Sequence, residues 1–240
     1  EARVIEDEHL FRGVHHLARV VDHQSGALEP IEQEGGGDVP EVEGRILPHQ
    51  DHVEGVEALA RWNHPYRGRI GPSEFIPLAE RTGTIVELGD WVVEEVCRQI
   101  MHWDAAGMPP LKIAVNLSPR QFQQPDLVQR LSQILHRYQV AAGRLMFEIT
   151  ETAAMRDAGQ SIAAIRQLQS LGFEVAIDDF GTGYSSLSYL QRFRAQQIKI
   201  DRAFVCALDD NPPEASAIIR AICAMAHSLD MTVVAEGVRS

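Results

Sequence analysis

Residues 174–183 read Glu174-Val175-Ala176-Ile177-Asp178-Asp179-Phe180-Gly181-Thr182-Gly183. The apolar run Val175-Ala176-Ile177 predicts a buried β-strand, which stops at two adjacent carboxylates and a turn with two glycines. Paired acids at the end of a buried strand are costly unless something positive sits between them. A divalent metal held by oxygen ligands is the usual answer. Gly181 and Gly183 permit positive φ in the turn that follows.

Outward from this stretch, other polar residues sit in or at the end of short apolar runs. Glu57 lies in Val56-Glu57-Ala58-Leu59-Ala60-Arg61-Trp62, and Asn116 ends Ile113-Ala114-Val115-Asn116. Glu148 and Glu151 fall in Leu145-Met146-Phe147-Glu148-Ile149-Thr150-Glu151. Lys199 lies in Gln197-Ile198-Lys199-Ile200-Asp201, and Glu236 ends Val233-Val234-Ala235-Glu236. The successive gaps from Glu57 to Asn116, Glu148, Asp178, Lys199 and Glu236 are 59, 32, 30, 21 and 37 residues. A gap near 30 fits one strand-plus-helix unit, and 59 fits about two. In a (β/α) barrel such positions converge on one face, where active sites are built.

The remaining pattern agrees with alternation. Strands are expected at 54–62, 112–117, 144–149, 174–178, 196–201 and 232–236. Helices are expected at 72–81, after a Thr84 cap, and at 127–138, 159–171, 184–191 and 213–229. Crossover helices between strands argue for a parallel sheet. Residues 1–52 read differently. Leu10, Val14, Leu17 and Val21 mark one helical face, with Asp7 as its cap and Gly26 beyond its end. Residues 29–45 are acidic and rich in glycine, which predicts a linker. Six of the ten histidines fall within residues 1–52 but follow no metal-site spacing, so that segment reads as solvated. The domain boundary is therefore expected between residues 52 and 53.

A chain of 240 residues can bury one large core. No apolar run approaches the length of a membrane span, and no signal peptide is expected, since no basic-apolar-small pattern is read from residue 1 onward. Cys97, Cys206 and Cys223 are widely spaced and odd in number. Reduced, buried thiols and a cytoplasmic location are expected. The net charge of −12 argues against duplex nucleic acid as a partner, because phosphate neutralisation needs Lys and Arg. It favours metal-assisted chemistry on any phosphate substrate.

Seven strings stand in the order found in one family: EALARWNHP, FIPLAE, VNLSPRQF, FEITE, IDDFGTGYSSL, IKID and VVAEGV. From about residue 53 to 240 the chain resembles the EAL domain, the bacterial phosphodiesterase of the second messenger cyclic di-GMP. The resemblance implies an α/β fold of the TIM-like (β/α) barrel type. Residues 1–43 match nothing in the family, and a Tyr-Gln-Pro motif expected near Gly44–Gln50 is missing. The family's eighth strand and final helix are not seen before Ser240, so the barrel is expected to be incomplete.

What the resemblance implies for the site is specific. Glu57, Asn116, Glu148 and Asp178 match the ligands of a first metal, and Asp179 reaches a second. All offer hard oxygens, which select Mg²⁺ or Mn²⁺ over zinc. Lys199 matches the lysine at the catalytic water and phosphate, and Glu236 a glutamate acting either as base or as ligand. Arg61 and Leu59 fall in the substrate-binding set. Glu151, Gly181 and Gly183 match the residues that stabilise the Asp178-Asp179 loop. The implied reaction is in-line hydrolysis of cyclic di-GMP to linear pGpG, with departure of the ribose 3′ oxygen. A non-catalytic cyclic di-GMP receptor or an inactive fragment is the alternative. A homodimer and, in a longer parent protein, sensory or diguanylate cyclase domains are the implied partners.

Overall fold

The computed structural model describes residues 18–21, 39–49, 52–183, 187–207 and 213–236. Its contacts divide the chain into two units, Glu1–Ile113 and Ala114–Ser240.

The first unit is built on antiparallel pairing. β2 (Val39–His49) pairs with β3 (His52–His64) along its length, and β3 pairs with the short β4 (Gly68–Ile70). β1 (Ala18–Val21) runs parallel to β2. These strands correct two expectations. The helix placed over residues 10–21 is a strand at 18–21, and the rest of that stretch lies outside the described residues. Four apolar residues at helical spacing are weak evidence, and the β-branched Val20-Val21 pair suits an extended edge. The linker placed at 29–45 is β2 from Val39 onward, while 29–38 lie outside the described residues. Acidic composition hid a strand whose ladder bonds are satisfied by β3. Pro40 and Pro48 fall outside the stretch 42–45 that β1 pairs, so their missing N–H groups cost no bond on that side.

Residues of β3 alternate between two faces. Ala60 and Trp62 pack on a cluster of Ile70, Phe75, Ala79, Ile85 and Leu88. That cluster joins α1 (Pro72–Thr82) to α2 (Ile85–Ala105). Glu57, Leu59 and Arg61 occupy the other face of β3. Between the helices, Gly83 has φ 92° and donates its N–H to the Ala79 carbonyl, closing α1 in the left-handed turn that glycine favours. Thr84 makes no side-chain cap for α2, contrary to expectation. Its hydroxyl lies 2.9 Å from that of Thr82 instead.

α2 buries Ile85, Leu88, Val92, Val93, Val96, Cys97, Ile100 and Trp103. Each large apolar side chain stabilises by about 1.5–3 kcal/mol when fully buried. Burial, with the nearby Glu94 charge, pushes the Cys97 thiol up to about 12, so it stays protonated at neutral pH. Of the three thiols expected to be buried, only Cys97 is. Cys206 is half-buried, and Cys223 is exposed on the helix Pro213–Ser228. Iodoacetamide at pH 8 should therefore label Cys223 in the native chain and spare Cys97. Peptide mapping checks this, and fast labelling of Cys97 would contradict the buried stripe. Because the folded value lies above the ordinary 9.0, the unfolded thiol ionises first. Cys97 thus lowers stability as pH rises above about 9.

The second unit is mixed α/β. β5 (Lys112–Asn116) leads into α3 (Pro119–Phe122) and α4 (Leu127–Tyr138). A 3-10 turn (Ala142–Arg144) precedes β6 (Leu145–Thr150), then α5 (Glu151–Arg156) and α6 (Ala158–Ser170). β7 (Glu174–Phe180), α7 (Leu187–Phe193), β8 (Gln197–Ile200), α8 (Arg202–Cys206), α9 (Pro213–Ser228) and β9 (Thr232–Ala235) complete it. β5 lies beside β6, and β6 to β9 pair in parallel in chain order. All six expected strands are present, and β1, β2 and β4 are additional. Among the described residues, no helix is long and apolar enough to cross a membrane.

Candidate active site

Three strands of the second unit place their polar residues by the same arithmetic. Ala114, Met146 and Ala176 form one buried cluster. Side chains two residues apart on a strand share a face. Asn116, Glu148 and Asp178 therefore stand one layer beyond that cluster, toward the C-terminal strand ends. In strand register Glu148 is level with Ala176 and Asp178 with Thr150, so the carboxylates of neighbouring strands are staggered by two residues along the sheet. This is the layered filling expected of a (β/α) sheet with its chemistry at the strand ends.

Lys199 enters this layer from β8 and is 1% exposed. Its Nζ lies 2.6 Å from Glu148 Oε2, 3.0 Å from Glu236 Oε1 and 3.4 Å from Asp178 Oδ1. One ammonium thus faces three carboxylates from three different strand ends. Burial raises the Asp178 carboxyl above its ordinary value, with Glu236 and Asp179 adding to the shift and Lys199 opposing it. Asp179 is raised too, first by burial, then by the charges of Asp201 and Glu236. Stability supplied by these two acids therefore falls as pH rises through their folded values. Negative charge exceeds positive charge in this cluster, which is the electrostatic condition for recruiting a cation.

The turn after β7 is held in an unusual shape. Asp179 has φ 54°, in the left-handed region. Most L-residues resist this by roughly 1–2 kcal/mol, although Asp and Asn adopt it more readily than others. Its N–H donates to Asp178 Oδ1 at 2.9 Å. Its carbonyl accepts the Thr182 hydroxyl at 2.8 Å. Glu151, 1% exposed, accepts the Gly181 N–H on Oε2 at 2.8 Å. Gly181 has φ 100°, and a Cβ on Gly183 would come within 2.8 Å of Glu151 Oε1. Glycine is needed at both positions, for conformation at the first and for space at the second.

Glu57, Leu59 and Arg61 belong to the first unit. Glu57 is 5% exposed, while Leu59 and Arg61 are half-buried. Arg61 donates from Nη1 to the Ala60 carbonyl at 3.0 Å. Spacing of two along β3 puts all three on one face, away from the apolar cluster beneath α1 and α2.

Asp201 was not singled out by the sequence. Its Oδ1 accepts the Ala203 N–H at 2.8 Å and caps α8, while its charge acts on Asp179. The available signal was an acid directly after the apolar strand Gln197–Ile200, the pattern that marked Asp178 and Glu236. The Ser118–Gln121 capping box that starts α3 just after Asn116 was also readable as Ser-x-x-Gln.

The donor chemistry fits a hard divalent cation. Asn116, Glu148, Asp178 and Asp179 offer only oxygen ligands, and Lys199 leaves the acids in excess. Among the described residues, no three Asp, Glu, His or Cys side chains are already gathered closely enough to hold an ion by themselves. The carboxylates are grouped around the Lys199 ammonium instead.

This arrangement of strand-end acids, buried lysine and clamped glycine turn has a known family context. The EAL domain model matches residues 46–240, and the chain belongs to that family. It is 45% identical over 196 residues to the bifunctional diguanylate cyclase/cyclic di-GMP phosphodiesterase MucR of Pseudomonas aeruginosa. That match covers 82% of this chain but only 28% of the relative's length. A solved structure described as the PaMucR phosphodiesterase in complex with c-di-GMP is similar with TM-score 0.75 and 46% identity, covering 79% of this chain and 76% of that one. A calcium/cyclic di-GMP complex of Klebsiella pneumoniae BlrP1 is similar with TM-score 0.66 and 28% identity, covering 80% of this chain and 46% of that one. The fold class is that of the EAL (β/α) barrel domains.

Proposed function

We propose that this chain hydrolyses cyclic di-GMP to linear pGpG with two Mg²⁺ or Mn²⁺ ions. The observation that carries the reading is the Lys199 ammonium set among Glu148, Asp178 and Glu236 at the ends of three parallel strands. The 45% identity to a cyclic di-GMP phosphodiesterase supports the substrate. The calcium-containing complex of a more distant relative supports the use of a divalent ion.

Glu57, Asn116, Glu148 and Asp178 would hold the first ion, and Asp179 would reach the second. Such a pair of ions supplies Lewis-acid stabilisation of the phosphodiester and a more acidic water. The remaining work falls to side chains. Arg61 presents a fork of donors to a phosphate oxygen pair, with Leu59 beside it against the substrate. Lys199 keeps a fixed positive charge where negative charge grows on the phosphoryl oxygens. Glu236 accepts the proton of the attacking water or completes an ion's oxygen shell. Water forms the new bond to phosphorus, the bond to the ribose 3′ oxygen breaks, and that oxygen takes up a proton.

Asp179→Asn is expected to lower the rate more than it weakens substrate binding. Asparagine tolerates the left-handed backbone at this position, so the turn survives, but a neutral amide is a poorer ion ligand. Half-maximal activity should require more metal. An unchanged metal dependence would count against a second ion at Asp179.

Mass analysis of the recovered nucleotide separates an enzyme from a receptor. After incubation with Mn²⁺, the proposal expects cyclic di-GMP to gain one water. Recovery of the intact cyclic nucleotide, bound in stoichiometric amount, would establish the receptor reading instead.

A further inference from the structure

Two side chains grip the turn that carries Asp179, from different elements. Glu151, at the start of α5, accepts the Gly181 N–H at 2.8 Å. From α8, the ring edge of Phe204 lies against the same glycine. A Cβ on Gly181 would stand 2.8 Å from Phe204 Cε2 and 3.1 Å from Cζ, so the ring fills the space any larger residue would need. Within the turn, the Asp179 N–H donates to Asp178 Oδ1 at 2.9 Å and the Asp179 carbonyl accepts the Thr182 hydroxyl at 2.8 Å. Thr182 N–H reaches the Asp179 carbonyl at 3.3 Å, and the Thr182 side chain is exposed to competing water. These bonds hold Asp179 at φ 54° from one side only, and the far side of the turn is fixed at Gly181.

We propose that Phe204 is a positioning residue for Asp179: its ring, packed on Gly181 while Glu151 holds the Gly181 N–H, fixes the turn in the shape that aims the Asp179 carboxylate. The anchor of this device is α8 itself. Asp201 caps its first turn, and α8 packs against α9. Phe204 touches neither the substrate nor an ion in this account. It acts through the backbone of Gly181, two residues from Asp179.

The activity arm of the test rests on the hydrolase reading, and the exchange arm does not. In the full chain, Phe204→Ala is expected to speed amide hydrogen exchange at Gly181 and Thr182 about tenfold or more, with little change in protection of β7. Its kcat should fall on the order of tenfold to a hundredfold, with KM for cyclic di-GMP within about twofold, as expected when a reacting group is mispositioned. Phe204→Leu, which refills part of the space, should recover some of both. Gly181→Ala should do more damage in the parent than in the Phe204→Ala background, because the added methyl meets the ring only in the parent.

Unchanged exchange at Gly181 in Phe204→Ala would overturn the proposal, whether or not the parent hydrolyses cyclic di-GMP. So would a loss of kcat that merely follows the loss of folded protein and is not relieved by leucine. If the parent shows no turnover while Phe204→Ala still loosens Gly181, the hydrolase reading fails and the latch stands.

Discussion

Replacing Lys199 by methionine is expected to destabilise the apo chain by roughly 3–5 kcal/mol, the cost of removing one partner from a buried charge pair. Lys199 is 1% exposed and lies within 3.4 Å of oxygens from Glu148, Asp178 and Glu236. Without its ammonium, carboxylates from three strand ends face one another in a buried layer. The loss should be greatest near neutral pH and shrink toward acid, where Asp178, already raised by burial, takes up a proton. Adding Mn²⁺ should restore part of the loss by binding the folded state, worth about 2.7 kcal/mol at a hundred times Kd. Urea unfolding at several pH values, with chelator and with Mn²⁺, checks all three points. A variant within about 1 kcal/mol of the parent at neutral pH without metal would mean that the acids are not held by Lys199.

Glu57→Ala is expected to leave folding nearly intact and to reduce turnover by at least two orders of magnitude, the scale on which loss of one preorganised charge-stabilising group is felt. The face of β3 that bears Glu57 is opposite the one carrying Ala60 and Trp62 into the core cluster. Deleting its carboxylate therefore opens no cavity among the apolar side chains of α1 and α2. A melting temperature within a few degrees of the parent's, together with a nearly dead enzyme, is the expected pair of results. Parental turnover in Glu57→Ala would remove Glu57 from the ion site.

Strand-end acids were legible because they interrupt apolar runs, which is costly unless it serves a purpose. Asp178, Glu148 and Glu236 announce themselves in this way, and so does Lys199 between Ile198 and Ile200. Their grouping around one ammonium was not legible, because it depends on strand register and on the pleat. Asp201 shared the signal, but an acid directly before a helix reads equally well as its N-cap, a role its Oδ1 also fills.

Phe204 gave no signal at all, since an aromatic residue in a short helix reads as ordinary packing. Only the glycine opposite it reveals the constraint. The first strands were hidden for another reason. Val39–His49 mixes acids, prolines and glycine, and its extended form is decided by pairing with β3 rather than by its own composition. Thr84 illustrates the opposite error. A hydroxyl before a helix has the right chemistry for a cap, but Gly83 already closes the preceding helix, and the Thr84 hydroxyl lies beside Thr82.

Under the proposed function, Glu57 and the oxygens grouped about Lys199 serve a metal-dependent phosphodiesterase. Steady-state turnover of cyclic di-GMP, measured against Mn²⁺ concentration in the parent and in Glu57→Ala, tests it most directly. The account predicts many turnovers to pGpG per parent chain, a rate that saturates with metal and stops on chelation, and near silence in the variant. Metal-independent turnover, or equal rates in the two proteins, would contradict it.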